Sequence, residues 1–301
     1  MHEYREFTMK RIVVATDFSD ASYGAVNYAR QLARCFAARV LVVHVIDMAR
    51  TLQLDGMPTE PLPSRVDSAE DELQRIGSSL SFDGIPCSTA VRVGTIREMV
   101  SELIDERHAD LLVIGTSGKG FRDGEGLGSV AEMLLRSVSC PVLTVGKSVR
   151  LDAYEATHER VILFPTDFSE VSRAALAYTA CLARHLAGRL VLLHIVRADS
   201  RVPASVHERQ FQEFTREITY PVISECLVRA GNTADTIVKV SAEKRTDFIV
   251  MGVHGRHDAE IALGEKFAFD VIRLARCPVF TLSAGDKGHA LDHVLAGTAR
   301  A

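Results

Sequence analysis

The stretch Gly115-Thr-Ser-Gly118-Lys-Gly120-Phe-Arg-Asp-Gly124-Glu-Gly126-Leu-Gly128-Ser129 carries the strongest chemical signal in the sequence. Before it, the apolar run 111–114 has the composition of a buried parallel strand, and after it residues 130–136 have helical spacing. The segment is therefore a glycine-laden turn between a strand and a helix N-terminus. Glycines there allow φ > 0 and close approach of the main chain to a ligand. The N–H groups and dipole of a helix start favour an anion, with phosphate the natural guess. Two plainer readings compete: a surface loop, or a capping box made by Ser129 and Glu132, which needs no ligand. The pattern is not a P-loop. Gly146-Lys-Ser148 has Pro141 where the first P-loop glycine should stand, and it ends a strand pattern. The spacing Gly-x-Gly-x-x-Gly is missing at the first strand.

The elements that must position this turn follow from the whole chain. Its 301 residues suggest about two domains, and 47% hydrophobic with 25% charged residues is ordinary for a globular protein. A net charge of −4 gives no support to a nucleic-acid partner, which needs a basic face. Residues 1–7 are charged and lack an apolar core, and runs such as 190–196 are too short to span a bilayer. No membrane partner and a cytoplasmic location are expected. The six cysteines are scattered without Cys-x-x-Cys, and read as reduced, mostly buried thiols.

An internal repeat dominates the chain. Val13-Val-Ala-Thr-Asp17-Phe-Ser returns as Leu163-Phe-Pro-Thr-Asp167-Phe-Ser, and Val42-Val-His44-Val as Leu192-Leu-His194-Ile. Val91-Arg-Val-Gly94 returns as Val228-Arg-Ala-Gly231, Ala109-Asp-Leu-Leu-Val-Ile-Gly115 as Thr246-Asp-Phe-Ile-Val-Met-Gly252, and Ser139-Cys140-Pro-Val as Arg276-Cys277-Pro-Val. Matches in one order mean duplication. The offset is 194 − 44 = 150 early and 231 − 94 = 137 later, so the first copy carries 150 − 137 = 13 extra residues between His44 and Gly94. Residues 54–64, with Pro58, Pro61 and Pro63, read as a loop there.

Each copy reads βαβαβαβαβ. In the first, strands are expected over 11–16, 40–46, 87–93, 111–115 and 141–145. Helices are expected over 20–37, 67–80, 95–107 and 129–138, the third opened by a Thr95–Glu98 capping box. Ala21, Ala25, Ala29, Leu32 and Phe36 mark the buried face of the first helix. Alternation of this kind implies parallel sheets covered on both faces. Expected domains are 1–148 and 149–285, with a tail over 286–301.

These residues resemble the universal stress protein family, as a tandem member. The carriers are Val-Ala-Thr-Asp17-Phe-Ser, His44-Val45 and Gly115-x2-Gly118-x9-Gly128-Ser129, the last being the spacing of the family's ATP-binding pattern. The resemblance implies an α/β fold of two flavodoxin-like, Rossmann-like domains, each a five-stranded parallel sheet of order 3-2-1-4-5. It also implies adenine nucleotide at the carboxyl ends of the strands. Asp17, flanked by Ala15 and Thr16, would then hold the adenosine end and the main chain of Val45 would face adenine. Ile114, Gly115 and Gly118 would line ribose and phosphates, and Gly128, Ser129 and Val130 would cradle phosphate. Ala15 departs from the family's common proline, which Pro165 keeps. The implied cofactor is ATP, with or without Mg2+.

No catalytic constellation stands out, so the expected activity is at most a weak ATPase. Lys119 and Arg122 could approach phosphates, but Asp123 and Glu125 stand beside them. His44 and His194 are expected to face the structure, and His254 with His257 sit in a polar loop where a zinc site would need further ligands. In the second copy Gly252-Val-His-Gly255 keeps the start of the motif. Its end differs: eight residues, not nine, separate Gly255 from Gly264 and Glu265 follows in place of serine, or, aligned on Cys140 and Cys277 without gaps, Glu265 falls on Gly128 and Lys266 on Ser129; either way a carboxylate stands at or beside the cradle, and residues 256–263 hold no glycine. Carboxylate repulsion and the lost glycine oppose a triphosphate there. The resemblance further implies an intramolecular pseudo-dimer of the two copies through their last strands, 142–145 and 279–282, and a homodimer of chains is compatible with it.

Overall fold

A computed structural model describes residues 9–48, 60–118, 126–147, 149, 159–216, 218, 222–253 and 261–283. They divide into two compact units on either side of residue 148. In the first unit the strands are β1 (Arg11–Ala15), β2 (Arg39–Ile46), β3 (Cys87–Val93), β4 (Leu111–Gly115) and β5 (Val142–Val145). Its helices are α1 (Asp20–Phe36), α2 (Leu62–Phe82), α3 (Ile96–Arg107) and α4 (Ser129–Ser137). The second unit repeats the series as β6 (Arg160–Thr166), α5 (Glu170–His185), β7 (Gly188–Val196), α6 (Ala204–Thr215), β8 (Ile223–Ala230), α7 (Thr233–Lys244), β9 (Phe248–Val253), α8 (Ile261–Leu274) and β10 (Val279–Ser283).

Within each unit the five strands run parallel in the order 3-2-1-4-5, as β3-β2-β1-β4-β5 and as β8-β7-β6-β9-β10. Parallel neighbours require crossovers, which the helices supply. The chain leaves β1 for β2 on one side and later returns to β4 on the other, so Ala15 stands in register with both Val43 and Ile114. That reversal opens a crevice at the carboxyl ends of β1 and β4.

Burial explains the sequence pattern. Residues 12–14 and 111–114 are all buried, as strands covered on both faces must be. Helix α1 buries Ala21, Ala25, Ala29, Leu32 and Phe36, the expected face. Its N-cap is Ser19, whose side chain accepts from Ser22 N–H.

Several local expectations change. Helix α2 begins at Leu62, so the loop expected over 54–64 ends earlier than its prolines suggest. Pro61 is the N-cap and Pro63 lies in the first turn, where proline loses no intrahelical bond. Thr95 caps α3 without bonding the main chain; its hydroxyl instead donates to Glu98 Oε2 at 2.7 Å. The Ser129–Glu132 capping box does not form, because Gly128 is the N-cap and Ser129 the first helical residue. Glu132 instead pairs with Arg136 one turn on. Among the cysteines only Cys140 and Cys277 are fully buried, so "mostly buried" was too strong; all six are free thiols.

A candidate anion-binding corner at the ends of β1 and β4

The Thr-Asp-Phe-Ser sequence after β1 builds a corner from its own side chains. Phe18 takes φ 62°, a left-handed conformation unusual for a bulky residue. It is held there from both sides. Phe18 N–H donates to Thr16 Oγ1 at 3.0 Å, and the ring stacks on His44 with centroids 4.5 Å apart. His44 Nδ1 lies 2.8 Å from Thr16 O, so it carries the proton and donates. The second copy repeats the arrangement with Phe168 at φ 64°, His194 Nδ1 2.9 Å from Thr166 O, and Phe168 N–H on Thr166 Oγ1 at 3.0 Å. Both histidines face the structure, as expected. The strained phenylalanine turns the chain so that Asp17 stands at the crevice.

Asp17 Oδ1 accepts from Ser19 N–H at 3.1 Å and from Ser19 Oγ at 2.6 Å. Its other oxygen, Oδ2, lies against Gly118, inside the space a Cβ there would need. The β4 end is equally tight. A Cβ on Gly115 would meet the main chain of Ala21 and Ser22 at 2.9 Å, so this glycine lets α1 pack on β4. At Gly128 a Cβ would lie 3.1 Å from Thr116 O. None of Gly115, Gly118 and Gly128 has a positive φ. The expectation of left-handed glycines fails at these three; at Gly115 and Gly118 neighbours fill the place of a side chain, while at Gly128 a side chain would be tight against Thr116 O without being shut out.

The remaining site residues fall around this corner. Ala15, Val45 and Val130 are partly buried against the first unit's core, and Ile114 is inside it. The Gly128 N–H donates to Thr116 O at 2.7 Å, so it does not point at a ligand. The first-turn N–H groups of Ser129, Val130 and Ala131 are the ones helix geometry leaves without an intrahelical acceptor. Ser117, which the sequence reading passed over, belongs here. Its main-chain oxygen is 3.3 Å from Ser19 Oγ and its Cα 3.6 Å from the Cβ direction of Gly128. Its hydroxyl is buried without a partner among the described residues. A buried hydroxyl of this kind is unfavourable unless something completes it. Lys119, Arg122, Asp123 and Glu125 lie outside the described residues, as do Gly255, His254 and His257.

The second copy departs from the first at the helix that follows the glycine motif. With the offset 277 − 140 = 137, Ser129 corresponds to residue 266, yet α8 starts at Ile261, which is 266 − 261 = 5 residues earlier. The counterparts of Gly128 and Ser129 therefore lie inside a helix, where N–H groups bond the carbonyl four residues back. Gly252 keeps the packing role of Gly115, since a Cβ there would be 3.1 Å from Val171 O and 3.2 Å from the Ala175 methyl. Among the described residues no group of three or more His, Cys, Asp or Glu could hold a metal. No described helix is long and apolar enough to cross a membrane.

These features define a doubly wound α/β protein, duplicated, with a polar corner at the switch in strand order. The sequence profile of the universal stress protein family matches residues 8–146 and again 159–282, so the chain belongs to that family as a tandem member. A universal stress protein of Methanocaldococcus jannaschii is 31% identical over 140 residues, 46% of this chain and 82% of that protein. One of Thermus aquaticus is 30% identical over 137 residues, 45% of this chain and 98% of that protein. The crystal structure of a universal stress protein from Archaeoglobus fulgidus shares the fold, with a TM-score of 0.73 over 93% of this chain and 98% of that one at 19% identity.

Proposed function

We propose that the first copy binds ATP, with or without Mg2+, and that the protein is a stress-response regulator whose nucleotide occupancy changes its contacts. The observation that carries this reading is the convergence at one crevice of Asp17, the close-packed glycines 118 and 128, and the start of α4. The buried, unpartnered hydroxyl of Ser117 lies beside them. Asp17 holds the adenosine end, and the main chain of Val45 faces the base. Thr16, Ala15, Ile114 and Gly115 support these contacts. Ser129, Val130 and Ser117 supply donors to phosphate. Bound phosphate would complete the Ser117 hydroxyl and the helix start together.

The second copy is structural or repurposed, because its extended helix consumes the corresponding N–H groups. The functional domains are residues 1–148 and 149–285, with 286–301 a tail, and the protein acts in the cytoplasm. Pairing of the two copies within a chain follows the family resemblance; solution scattering showing two independently tumbling halves would rule it out. Mass spectrometry of nucleotide released from freshly purified, denatured protein tests the main reading, which expects adenine nucleotide. Single-turnover phosphate release separates a regulator from a slow ATPase, and the regulator reading expects ATP to be recovered intact.

A further inference from the structure

Among the described residues, β3 pairs with β2 alone and β8 with β7 alone, so each unit has a strand with one open side. An edge of this kind invites a further strand unless it is covered or blunted. In β8 the residues Ser224, Cys226, Arg229 and Ala230 are exposed. Beyond a bulge at its start the strand keeps regular register with β7, from Val191 beside Glu225 to Val196 beside Ala230. In a parallel ladder a residue's N–H and C=O point to the same side, and the side alternates along the strand. Gly231 N–H donates to Val196 O at 3.1 Å, so the main chain of Glu225, Leu227 and Arg229 faces β7. That of Cys226, Val228 and Ala230 faces the open edge.

Both edges carry the same guard. Arg229 Nη1 donates to Val228 O at 3.1 Å, and in β3 Arg92 Nη1 donates to Val91 O at 3.3 Å. Gly94 N–H bonds Ile46 O, which makes Val91, like Val228, an outward residue. Each arginine therefore lies over an edge carbonyl. The edges differ in what can draw the arginine away. β3 contains no acidic residue, whereas β8 has Glu225 four residues before Arg229, on the same face of the strand. Lys244 Nζ, at the end of α7, reaches both Glu225 carboxylate oxygens, at 2.8 and 2.6 Å, and fixes the carboxylate there.

We propose that β8 is a self-complementary edge that pairs antiparallel with β8 of a second copy of this chain, about a two-fold axis at Leu227. In this register Cys226 and Val228 of one chain exchange main-chain hydrogen bonds with Val228 and Cys226 of the other. The incoming Cys226 N–H takes over Val228 O and releases Arg229. Glu225 of each chain then stands opposite Arg229 of the other, at the closer, non-hydrogen-bonded positions. The guard of the free edge becomes the ion pair of the dimer. Sliding the register by two residues breaks both ion pairs, so charge selects this register. β3 offers no carboxylate to Arg92 and stays capped. One short strand buries little surface, so the association is weak, with a Kd of about 10 μM. The contact lies at the opposite end of the strand order from β10, and it does not rest on the nucleotide reading.

Sedimentation equilibrium of the full-length protein from about 1 to 200 μM tests the proposal, which expects the mass to double reversibly with concentration. Arg229→Glu sets carboxylates opposite one another, and Glu225→Arg sets guanidinium groups opposite one another. Each variant should lose the doubling. Mixed in equal amounts the two should associate, because each chain then meets its complement. Mixing cannot repair a damaged fold, so this rescue reads the pairing itself. Val228→Pro removes an outward N–H without touching the β7 ladder and should weaken association at least about tenfold. Arg92→Glu, on the other edge, should change nothing. No doubling of mass by about 200 μM, or a mixture of the two charge variants that fails to associate, would overturn the proposal. So would association unchanged in Val228→Pro or lost in Arg92→Glu.

Discussion

Replacing Gly118 and Gly115 in turn with alanine separates the ligand corner from the scaffold beneath it. At Gly118 the new methyl would occupy the space of Asp17 Oδ2, the movable end of a side chain. Asp17 can rotate away, giving up contacts from Ser19 N–H and Oγ. Overpacking of this sort lowers stability by about 1–3 kcal/mol, and the half-exposed setting places Gly118→Ala towards the low end. The carboxylate is then misplaced for its ligand. A lost hydrogen bond to a charged group is worth about 1.5–3 kcal/mol, or roughly a ten- to hundredfold weaker Kd. At Gly115 the methyl instead meets the main chain of Ala21 and Ser22 at 2.9 Å, which cannot rotate aside. Gly115→Ala therefore reaches the upper end, about 3 kcal/mol, through displacement of α1. Urea unfolding read by circular dichroism gives the stability changes, and calorimetry at saturating folded fraction gives ATP affinity. A folded Gly118→Ala protein with wild-type affinity would refute the role given to Asp17. A Gly115→Ala protein as stable as wild type would refute the packing argument.

Two further substitutions probe the second copy. Asp247 lies 3.2 Å from Arg160 Nη1 and accepts Val161 N–H at 2.7 Å, with both charged side chains almost fully buried. Asp247→Ala removes this carboxylate from beside the buried guanidinium and should lower the stability of the second unit by about 3–5 kcal/mol in urea unfolding, with a loss under about 1 kcal/mol contradicting the importance of the pair. At Asp167 burial alone would raise the pKa, but hydrogen bonds from Ser169 and Ser172 outweigh it and the net shift is downward. A carboxyl with a lowered folded pKa adds stability above its unfolded pKa and loses it as pH falls through the folded value. Stability of Asp167→Asn, followed from neutral pH to below the usual carboxylate range, should therefore fall less than wild type; an identical acid profile would show that Asp167 contributes nothing.

Much of the fold was legible because strands buried on both faces leave continuous apolar runs, and duplication displayed each run twice. Residues 87–93 and 111–115 were bounded as the structure has them. What was not legible depended on partners distant in sequence. The repeated Asp110 and Asp247 were visible as a pattern, but their role was not. Asp110 Oδ2 accepts Lys10 and Arg11 N–H groups at 2.8 and 2.9 Å, a clamp from the start of β4 to the start of β1. Gly94 and Gly231 recur because each stands at φ near 150°, at 153° and 147°, where a side chain is strained. Ser117 escaped notice since its interest lies in burial without a partner, which no local pattern encodes. The glycine-free run 256–263 was recognised, but not that the chain is already helical at Ile261.

The central claim is one adenine-nucleotide site per chain, in the first copy. Calorimetric titration of nucleotide-free protein with ATP, repeated with Gly128→Val, tests it most directly. Gly128 has φ −63° and ψ 143°, a conformation valine accepts, and its Cβ would press on Thr116 O at only 3.1 Å, so the variant should fold. The account predicts a stoichiometry of about one ATP for the parent chain and no measurable binding for the folded variant. Two equivalent sites, or ATP affinity unchanged in Gly128→Val, would contradict it.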